Sequence, residues 1–142
     1  MSNFVVRPAV RADRHHIWRL SQELATSFVP QQRMFDTSFD TLVAAPSDLL
    51  LVADLPTHGV VGYVLASQHL TFFANRPVAW VEELIVDQQA RNRGVGRALM
   101  SAVEQWARSL GAAYVSLATR RAAPFYTAIG YQESATFFRK LV

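Results

Sequence analysis

The middle of this sequence limits the possible folds more than any other part. It has the pattern of a strand, a glycine-containing turn, a helix and a second strand. The apolar run VAWVEELIV (78–86) has the length and composition of a buried strand. Apolar residues then recur with helical spacing from Val95 to Leu110, and Gly111 closes the helix. The run AYVSLA (113–118) predicts the second strand. Two strands joined by a helix usually form a parallel crossover, so the sequence predicts an α/β sheet.

The flanking patterns predict the rest of the fold. FVVRP (4–8) indicates a first strand, and the following helix is predicted from Arg11 to Pro30, with an apolar stripe of Ile17, Leu20, Leu24 and Phe28. The other predicted elements are the helix RMFDTSFDTLVAA (33–45) ended near Pro46, the strands DLLLVAD (48–54) and VVGYVLAS (60–67), the helix APFYTAI (123–129) and the strand YQESATFFRKL (131–141). The order βααβββαβαβ predicts the α/β class, with a mixed sheet flanked by helices in a single domain over residues 1–142, structured from about residue 4.

Length and composition limit the classes of protein to consider. A chain of 142 residues is the size of one domain, and 51% apolar residues are enough for a core. No apolar run reaches the roughly 18 residues of a membrane span, and the first ten residues lack a signal-peptide pattern. The absence of cysteine excludes disulfides and thiolate chemistry and agrees with the cytoplasmic location that we expect. The net charge of +3 is mild and the sequence has one compact basic group instead of a basic stripe with interleaved aromatic residues, so neither a nucleic acid nor a membrane is expected as a partner.

The turn ahead of the central helix concentrates positive charge and backbone freedom. Arg91, Arg93 and Arg97 surround Gly94 and Gly96 at this junction. A helix N-terminus leaves N–H groups without intrahelical partners and carries partial positive charge, and glycines let a ligand approach the main chain. The pattern predicts a cradle for a phosphate or pyrophosphate beyond the carboxyl end of the strand.

Two other phosphate-binding patterns do not fit this turn. A P-loop requires a lysine followed by serine or threonine, which are missing from the required positions. A dinucleotide fingerprint that starts at Gly94 has Leu99 at its third glycine position. Taken alone, the stretch is also compatible with a glycine-containing turn whose arginines are merely solvated.

A family resemblance covers essentially the whole chain. Arg91-x-x-Gly94-x-Gly96 resembles the acetyl-CoA motif Q/R-x-x-G-x-G/A of the GNAT superfamily of N-acetyltransferases, and it follows a strand ending in EELIVD. AAPFYTAIGY (122–131) is similar to a later segment of that superfamily, A-x-x-F/L/Y-Y-x-x-x-G-F/Y, and RPAVRAD (7–13) is similar to its first strand and turn. The segments stand in the family's order, which implies a GNAT-like acyl-CoA N-acyltransferase fold.

The resemblance implies that acetyl-CoA is the co-substrate. Backbone groups of Leu84, Ile85 and Val86 would pair with its pantetheine arm in the manner of an added strand. The positions implied to hold the pyrophosphate are Arg91, Asn92, Arg93, Gly94, Val95, Gly96, Arg97 and Ala98. Many members have an asparagine ahead of the Ala-x-x-x-Tyr run that contacts the pantetheine. Thr119 is the nearest polar residue here, and Arg120 or Arg121 would alternatively reach a cofactor phosphate.

Transfer to an amine needs a base, because a primary amine of pKa about 10 is only about one-thousandth neutral at pH 7. Glu82 and Glu83 lie on the strand beside the implied cofactor arm, and they point to opposite faces unless a bulge intervenes. One would act as the base and the other would bind a cationic substrate. Glu82 is preferred as the base because a glutamate at this spacing is the proposed base in polyamine-acetylating relatives with a similar run. Tyr126, by the same resemblance, would protonate the leaving thiolate.

Structural roles for these residues stay open beside the catalytic ones. The two glutamates can be ordinary surface carboxylates, and Tyr126 can pack in the core with Phe125. A metal is not expected, since the adjacent His15 and His16 cannot share one face of a helix.

The acceptor is expected to be a cationic small-molecule or peptide amine. SQHLTFFANRPVAW (67–80) and VPQQRMFDTSFD (29–40) are predicted to wall its site, together with the acidic residues Asp36, Asp40, Glu82 and Glu83. The aromatic residues of these stretches suit an amine with an apolar body, and can equally belong to the core or to a homodimer contact. The predicted function is an N-acetyltransferase that works through a ternary complex. The alternative is a non-catalytic acyl-CoA-binding or regulatory module.

Overall fold

The computed structural model describes residues 3–25, 27–45 and 47–142, which form a five-stranded sheet with helices on both faces. The strands are β1 (Val5–Pro8), β2 (Asp48–Leu55), β3 (Gly59–His69), β4 (Val78–Val86) and β5 (Val115–Leu117). The helices are α1 (Arg14–Leu24), α2 (Gln32–Ala44), α3 (Val95–Ser109) and α4 (Ala123–Ala128). Short 3-10 turns precede α1 (Arg11–Asp13) and follow β4 (Gln88–Ala90).

The sheet is mixed, as the sequence predicts. Its strands lie in the order β1-β2-β3-β4-β5, with antiparallel pairs from β1 to β4 and a parallel pair between β4 and β5. The parallel pair is the crossover that α3 makes. Helix α3 therefore begins just beyond the carboxyl end of β4, where ligands of α/β sheets commonly bind.

Different helices bury the two faces of the sheet. On one face, the apolar stripe of α3, which includes Leu99 and Val103, packs against a cluster that contains Val64 and Val81. On the other face, α1 and α2 contribute Ile17, Leu20 and Phe39 to a cluster with Val52 and Tyr63. Alternate residues of the strands thus pack into different clusters, because successive side chains of a strand point to opposite faces.

A buried ion pair joins β1 to the start of α1. The carboxylate of Asp13, which is 4% exposed, accepts hydrogen bonds from Arg7 at 2.8 and 3.0 Å and from the backbone N–H of Val10 at 2.8 Å. Burial by itself would raise the pKa of Asp13, but the hydrogen bonds and the charge of Arg7 outweigh burial and hold this pKa below its usual value. Arg7 also contacts Asp54 of β2, so the network fixes where α1 leaves the sheet.

Two predicted elements differ from the structure. Helix α1 ends at Leu24 rather than Pro30, because Ala25 has extended backbone angles, and Phe28 is 66% exposed instead of completing the apolar stripe. No strand of the described chain follows Leu117, so the predicted strand over 131–141 is wrong and the observed order is βααβββαβα. Residues 132–142 are exposed, and an alternating pattern makes a strand only where a neighbouring strand and a buried surface receive it. The second helix ends at Ala44, and the expected boundary at Pro46 lies outside the described residues.

Candidate active site

The candidate site begins where β4 loses its parallel neighbour. Strand β5 pairs with β4 only from Ala79 to Val81, and the last pair joins Val81 to Leu117. Residues 82–86 continue β4 beside β3, with no described strand on their other side. The backbone groups on that side can pair with an extended ligand as with an added strand. Of the residues that are predicted to hold a pantetheine arm, Leu84 and Val86 turn their backbone groups to this open edge, whereas those of Ile85 face β3.

A bulge at Glu82 changes which face the next residues occupy. The β3–β4 register moves from the pair Leu65–Glu83 to the pair Ala66–Val81, so Glu82 has no partner on β3. Val81 packs in the α3 cluster, whereas Glu83 contacts Tyr63 of the cluster under α1 and α2. In a regular strand Val81 and Glu83 would share a face. The bulge, which was the condition under which Glu82 and Glu83 would not point to opposite faces, is therefore present.

A buried tyrosine holds Glu83. The hydroxyl of Tyr63 donates to Oε1 of Glu83 at 2.6 Å, and Tyr63 is 1% exposed. Burial raises the pKa of Tyr63, and the negative charge and hydrogen bond of Glu83 raise it further, so this hydroxyl remains a donor. The orientation of Glu83 is therefore determined by the core beneath it.

Glu82 has the properties of an accessible base. The residue is exposed, yet burial of its carboxyl by neighbouring atoms raises the pKa of Glu82, with further increases from Glu83 and Asp48 and a decrease from His69. A carboxylate with a raised pKa accepts a proton more readily than an ordinary surface carboxylate.

The turn ahead of α3 presents unpaired backbone N–H groups. Asn92 and Gly94 have positive φ angles of 64° and 82°, and no side chain caps the helix. The first hydrogen bond into the helix runs from the N–H of Ala98 to the carbonyl of Gly94 at 3.0 Å. The N–H groups of Val95, Gly96 and Arg97 therefore have no intrahelical partner. Together with the partial positive charge of the helix end, these groups have the properties that the predicted anion cradle requires.

The arginines of the cradle are free to meet an anion. Arg91, Arg93 and Arg97 are exposed and form no ion pair within the described part of the chain, in contrast to Arg7 and Arg14. Nε of Arg91 donates to the carbonyl oxygen of Val86 at 3.2 Å, which turns this guanidinium toward the end of β4. The positive charge is thus concentrated where β4 and α3 meet.

The two glycines of the motif, Gly94 and Gly96, are favoured at their positions for different structural reasons. A Cβ on Gly94 would meet nothing within 4 Å, so its left-handed backbone, rather than crowding, favours glycine there. A Cβ on Gly96 would lie 3.1 Å from the ring of Phe125 and 3.8 Å from Val86. Gly96 therefore allows α4 to pack closely against the start of α3, which brings α4 to the open edge of β4.

Tyr126 lies on the α3 side of that edge. Its ring packs edge-on against Phe125 at 5.0 Å and Tyr131 at 5.9 Å, and it joins the same apolar cluster as Leu84 and Val86. Burial raises the pKa of Tyr126, so the hydroxyl keeps its proton at neutral pH. No hydrogen bond joins this hydroxyl to a described residue, whereas the hydroxyl of Tyr131 donates to Glu104 at 2.8 Å. The hydroxyl of the half-buried Tyr126 therefore keeps a donor that no described residue engages.

Thr119 has a local structural partner. Its Oγ1 accepts a hydrogen bond from the N–H of Ala122 at 3.1 Å and closes the turn that leads into α4. Because the oxygen is engaged in the turn, a contact of Thr119 with a pantetheine arm stays a prediction.

Other features of the described residues bear on the site. A cleft of about 310 Å³ borders Arg93 and Val95 and extends to Phe4 and Pro56, and none of Glu82, Glu83 and Tyr126 lines it. Within the described ranges, no group of three His, Asp or Glu side chains is placed to hold a metal ion. Over the same ranges, no helix has the length and apolarity to span a membrane.

Sequence reasoning did not single out Tyr63. Its ring lies in the middle of an apolar strand, where an aromatic residue is expected to be core. Only the register across the bulge brings its hydroxyl to Glu83, and a pairing register is a tertiary property.

Comparison with known proteins adds the family context. The model of the acetyltransferase (GNAT) family matches residues 14–131. N-alpha-acetyltransferase 80 of Mus musculus is 34% identical over 90 residues, which are 63% of this chain and 29% of that protein. The chain thus matches less than a third of the length of this relative.

Solved structures share the fold at low sequence identity. A transcriptional regulator from Bacillus halodurans C-125 superposes with a TM-score of 0.86 at 17% identity, covering 98% of this chain and 99% of that chain. AAC(6')-Iy, solved in complex with the bisubstrate analogue CoA-S-monomethyl-acetylneamine, gives a TM-score of 0.81 at 21% identity, with 99% and 100% covered. The predicted fold class is confirmed.

The contrast between the two tyrosines predicts a difference in stability. Tyr63→Phe removes a buried hydroxyl bonded to a carboxylate and should lower the free energy of unfolding by about 1.5–3 kcal/mol. Tyr126→Phe removes a hydroxyl without a described partner and should change it by less than about 0.5 kcal/mol. Urea unfolding of the two variants measures both values, and equal losses would contradict the Tyr63–Glu83 bond.

Proposed function

Since this chain belongs to the acetyltransferase (GNAT) family, we propose that it transfers the acetyl group of acetyl-CoA directly to an amine acceptor. One observation carries the proposal. The open edge of β4 starts at Glu82 and ends near an uncapped, arginine-rich helix N-terminus, and Tyr126 packs against the same apolar cluster as Leu84 and Val86 of that edge. A binding module needs the first part of this arrangement but has no use for both of the candidate proton-transfer groups, Glu82 and Tyr126.

The described residues fit the co-substrate. The unpaired N–H groups from Val95 to Arg97 and the free arginines suit a pyrophosphate, and the space beside Gly94 leaves room for it. The backbone of Leu84 to Val86 would hold the pantetheine arm along the open edge of β4. Acetyl-CoA, when bound, supplies the acetyl group as an activated thioester.

Proton transfer is assigned to Glu82 and Tyr126. The carboxylate of Glu82 takes a proton from the ammonium group of the acceptor, directly or through a water molecule, so that a neutral nitrogen can form the new amide bond. The hydroxyl of Tyr126 donates its proton to the thiolate sulfur as the carbon–sulfur bond breaks, and the second proton that the nitrogen loses on forming the amide restores this hydroxyl through solvent. Glu83, held by Tyr63, keeps a fixed negative charge on the acceptor side and favours a cationic substrate.

The overall proposal is tested with a panel of primary amines, mixed with acetyl-CoA and the purified protein while released thiol is followed. Amine-dependent release above the protein-free rate is expected for at least one amine. Binding of CoA without release for any amine or peptide would support the non-catalytic alternative.

The cradle predicts a charge-specific loss of CoA binding. CoA should raise the melting temperature of the native protein, and Gly94→Asp should abolish this rise because a carboxylate would face the pyrophosphate. Gly94→Asn has the same size without the charge and tolerates a left-handed backbone, so it should keep part of the rise. Gly111→Asp is the control, because Gly111 has a similar φ of 71° and open surroundings at the other end of α3. Loss of the rise in the Gly111 variant as well would locate the effect in folding instead of the cradle.

The two glutamates are predicted to differ in kinetics. Glu82→Gln should lower kcat about a hundred-fold and remove the acidic limb of the kcat–pH profile, since the base must be unprotonated and its pKa is raised. Glu83→Gln should mainly raise KM for a cationic amine, because the amide can still accept the hydrogen bond of Tyr63. Steady-state kinetics over a pH series separates the two roles, and a reversed result would transfer the role of base to Glu83.

Tyr126→Phe should lower kcat at least ten-fold and leave the affinity for acetyl-CoA unchanged, because the hydroxyl acts while the thiolate leaves. The loss should shrink with an acetyl donor whose thiol is more acidic, since such a thiolate needs less protonation. Turnover and calorimetric affinity measure the two quantities. An undiminished kcat would show that Tyr126 only packs against Phe125 and Tyr131.

A further inference from the structure

Three aromatic rings, from different parts of the chain, form a stack. The imidazole of His69 lies 6.5 Å from the indole of Trp80 with an angle of 18° between the rings. Phe137, from the segment after α4, lies 6.3 Å from Trp80 at an angle of 22°. These separations and angles are those of offset aromatic stacking. The stack therefore joins the end of β3, the middle of β4 and the C-terminal segment.

Carboxylates lie beside this stack. Trp80 pairs with Ser67, and Ser67 pairs with Asp48, so these residues form one row across three strands and share a face. Glu82 follows two residues after Trp80, and the charges of Asp48 and His69 both act on the pKa of Glu82. Neither Asp48 nor Glu82 forms an ion pair within the described ranges. Uncompensated negative charge thus accompanies the rings.

The stack is partly exposed and is not buried in the hydrophobic core. Phe137 is 60% exposed although it stacks on Trp80, and His69 is exposed as well. The residues directly after His69 add further exposed apolar surface, from Leu70, Phe72 and Phe73. Contiguous exposed apolar surface on a small protein commonly marks a binding site.

We propose that the acceptor is a small primary amine that carries an aromatic ring, with its ring on the His69–Trp80–Phe137 stack and its ammonium group toward Glu82 and Asp48. This proposal rests on the acetyltransferase function and names the substrate class of the same site. A flat ring adds to the offset stack, and the adjacent carboxylates attract the cationic end. Glu82 follows Trp80 by two residues on the same strand, so a short linker between ring and nitrogen suits the site.

Matched amines test the ring. 2-Phenylethylamine and 2-cyclohexylethylamine have the same linker and similar size, but only the first has an aromatic ring. The native protein should show a kcat/KM about three- to ten-fold higher for 2-phenylethylamine, the gain expected from one aromatic pair. Equal kcat/KM values for the two amines would overturn the proposal.

Matched variants test the residues. Phe137→Ala should lower kcat/KM for 2-phenylethylamine about three- to ten-fold, mainly through KM, and should remove the preference over 2-cyclohexylethylamine. Phe138→Ala is the control, because Phe138 belongs to the same segment, is 87% exposed and takes no part in the stack. Circular dichroism checks that both variants keep the fold. Equal effects of the two substitutions would overturn the role of the stack.

Two further measurements separate this inference from the proposed function. Calorimetric binding of 2-phenylethylamine to the protein saturated with CoA reports the site without turnover. Binding that Phe137→Ala weakens, without acetyl transfer to any amine, would support the aromatic site and refute the transferase reaction. Acetyl transfer without a preference for an aromatic ring would support the transferase reaction and refute the aromatic site. A kcat/KM ten-fold higher for a tripeptide starting with phenylalanine than for 2-phenylethylamine would identify a peptide amino terminus as the acceptor and overturn the small amine.

Discussion

The early end of pairing between β4 and β5 is the constraint on which the candidate site depends. Because β5 pairs only as far as Leu117, residues 82–86 of β4 have no described strand on one side. Helix α3 starts beyond the same strand end, and Gly96 lets α4 pack against that start. The unpaired edge of β4, the arginine-rich start of α3 and the helix that carries Tyr126 are thereby brought close together. A longer β5 would occupy the backbone groups that this arrangement needs.

The bulge at Glu82 gives the two adjacent glutamates different surroundings. Beyond the bulge, Glu83 turns toward the α1/α2 side and is held by Tyr63, while Glu82 stays exposed with a raised pKa. Arg91, Arg93 and Arg97 lie at the α3 end, and the carboxylates lie near the middle of the sheet. The mild net charge of +3 therefore conceals two regions of opposite sign. Such a separation suits an anionic co-substrate and a cationic acceptor that approach from different sides.

Several parts of the fold were predictable because their causes are local. The helical spacing from Val95 onward, the glycines ahead of it and the apolar runs of β2, β3 and β4 each act over a few residues, and the structure has these elements where the patterns predict them. The helical position of Phe28 and the strand over 131–141 were predicted wrongly. Their patterns allow a helix or a strand but do not enforce one. Phe28 would extend the stripe of α1 if the helix continued, but Ala25 leaves the helix first. The C-terminal segment alternates like a strand, but it lies exposed and without a ladder partner.

The sequence by itself determined the α/β class, the resemblance to the family and the glycine- and arginine-rich start of α3, since these depend on residue type, spacing and helix termini. Only the tertiary structure decided how Glu82 and Glu83 differ, because a bulge is a property of the register between two strands. It also decided that Gly96 serves the packing of Phe125 and that His69, Trp80 and Phe137 form one stack. These residues are far apart along the chain, and only the pairing of strands and the path of the C-terminal segment bring them together.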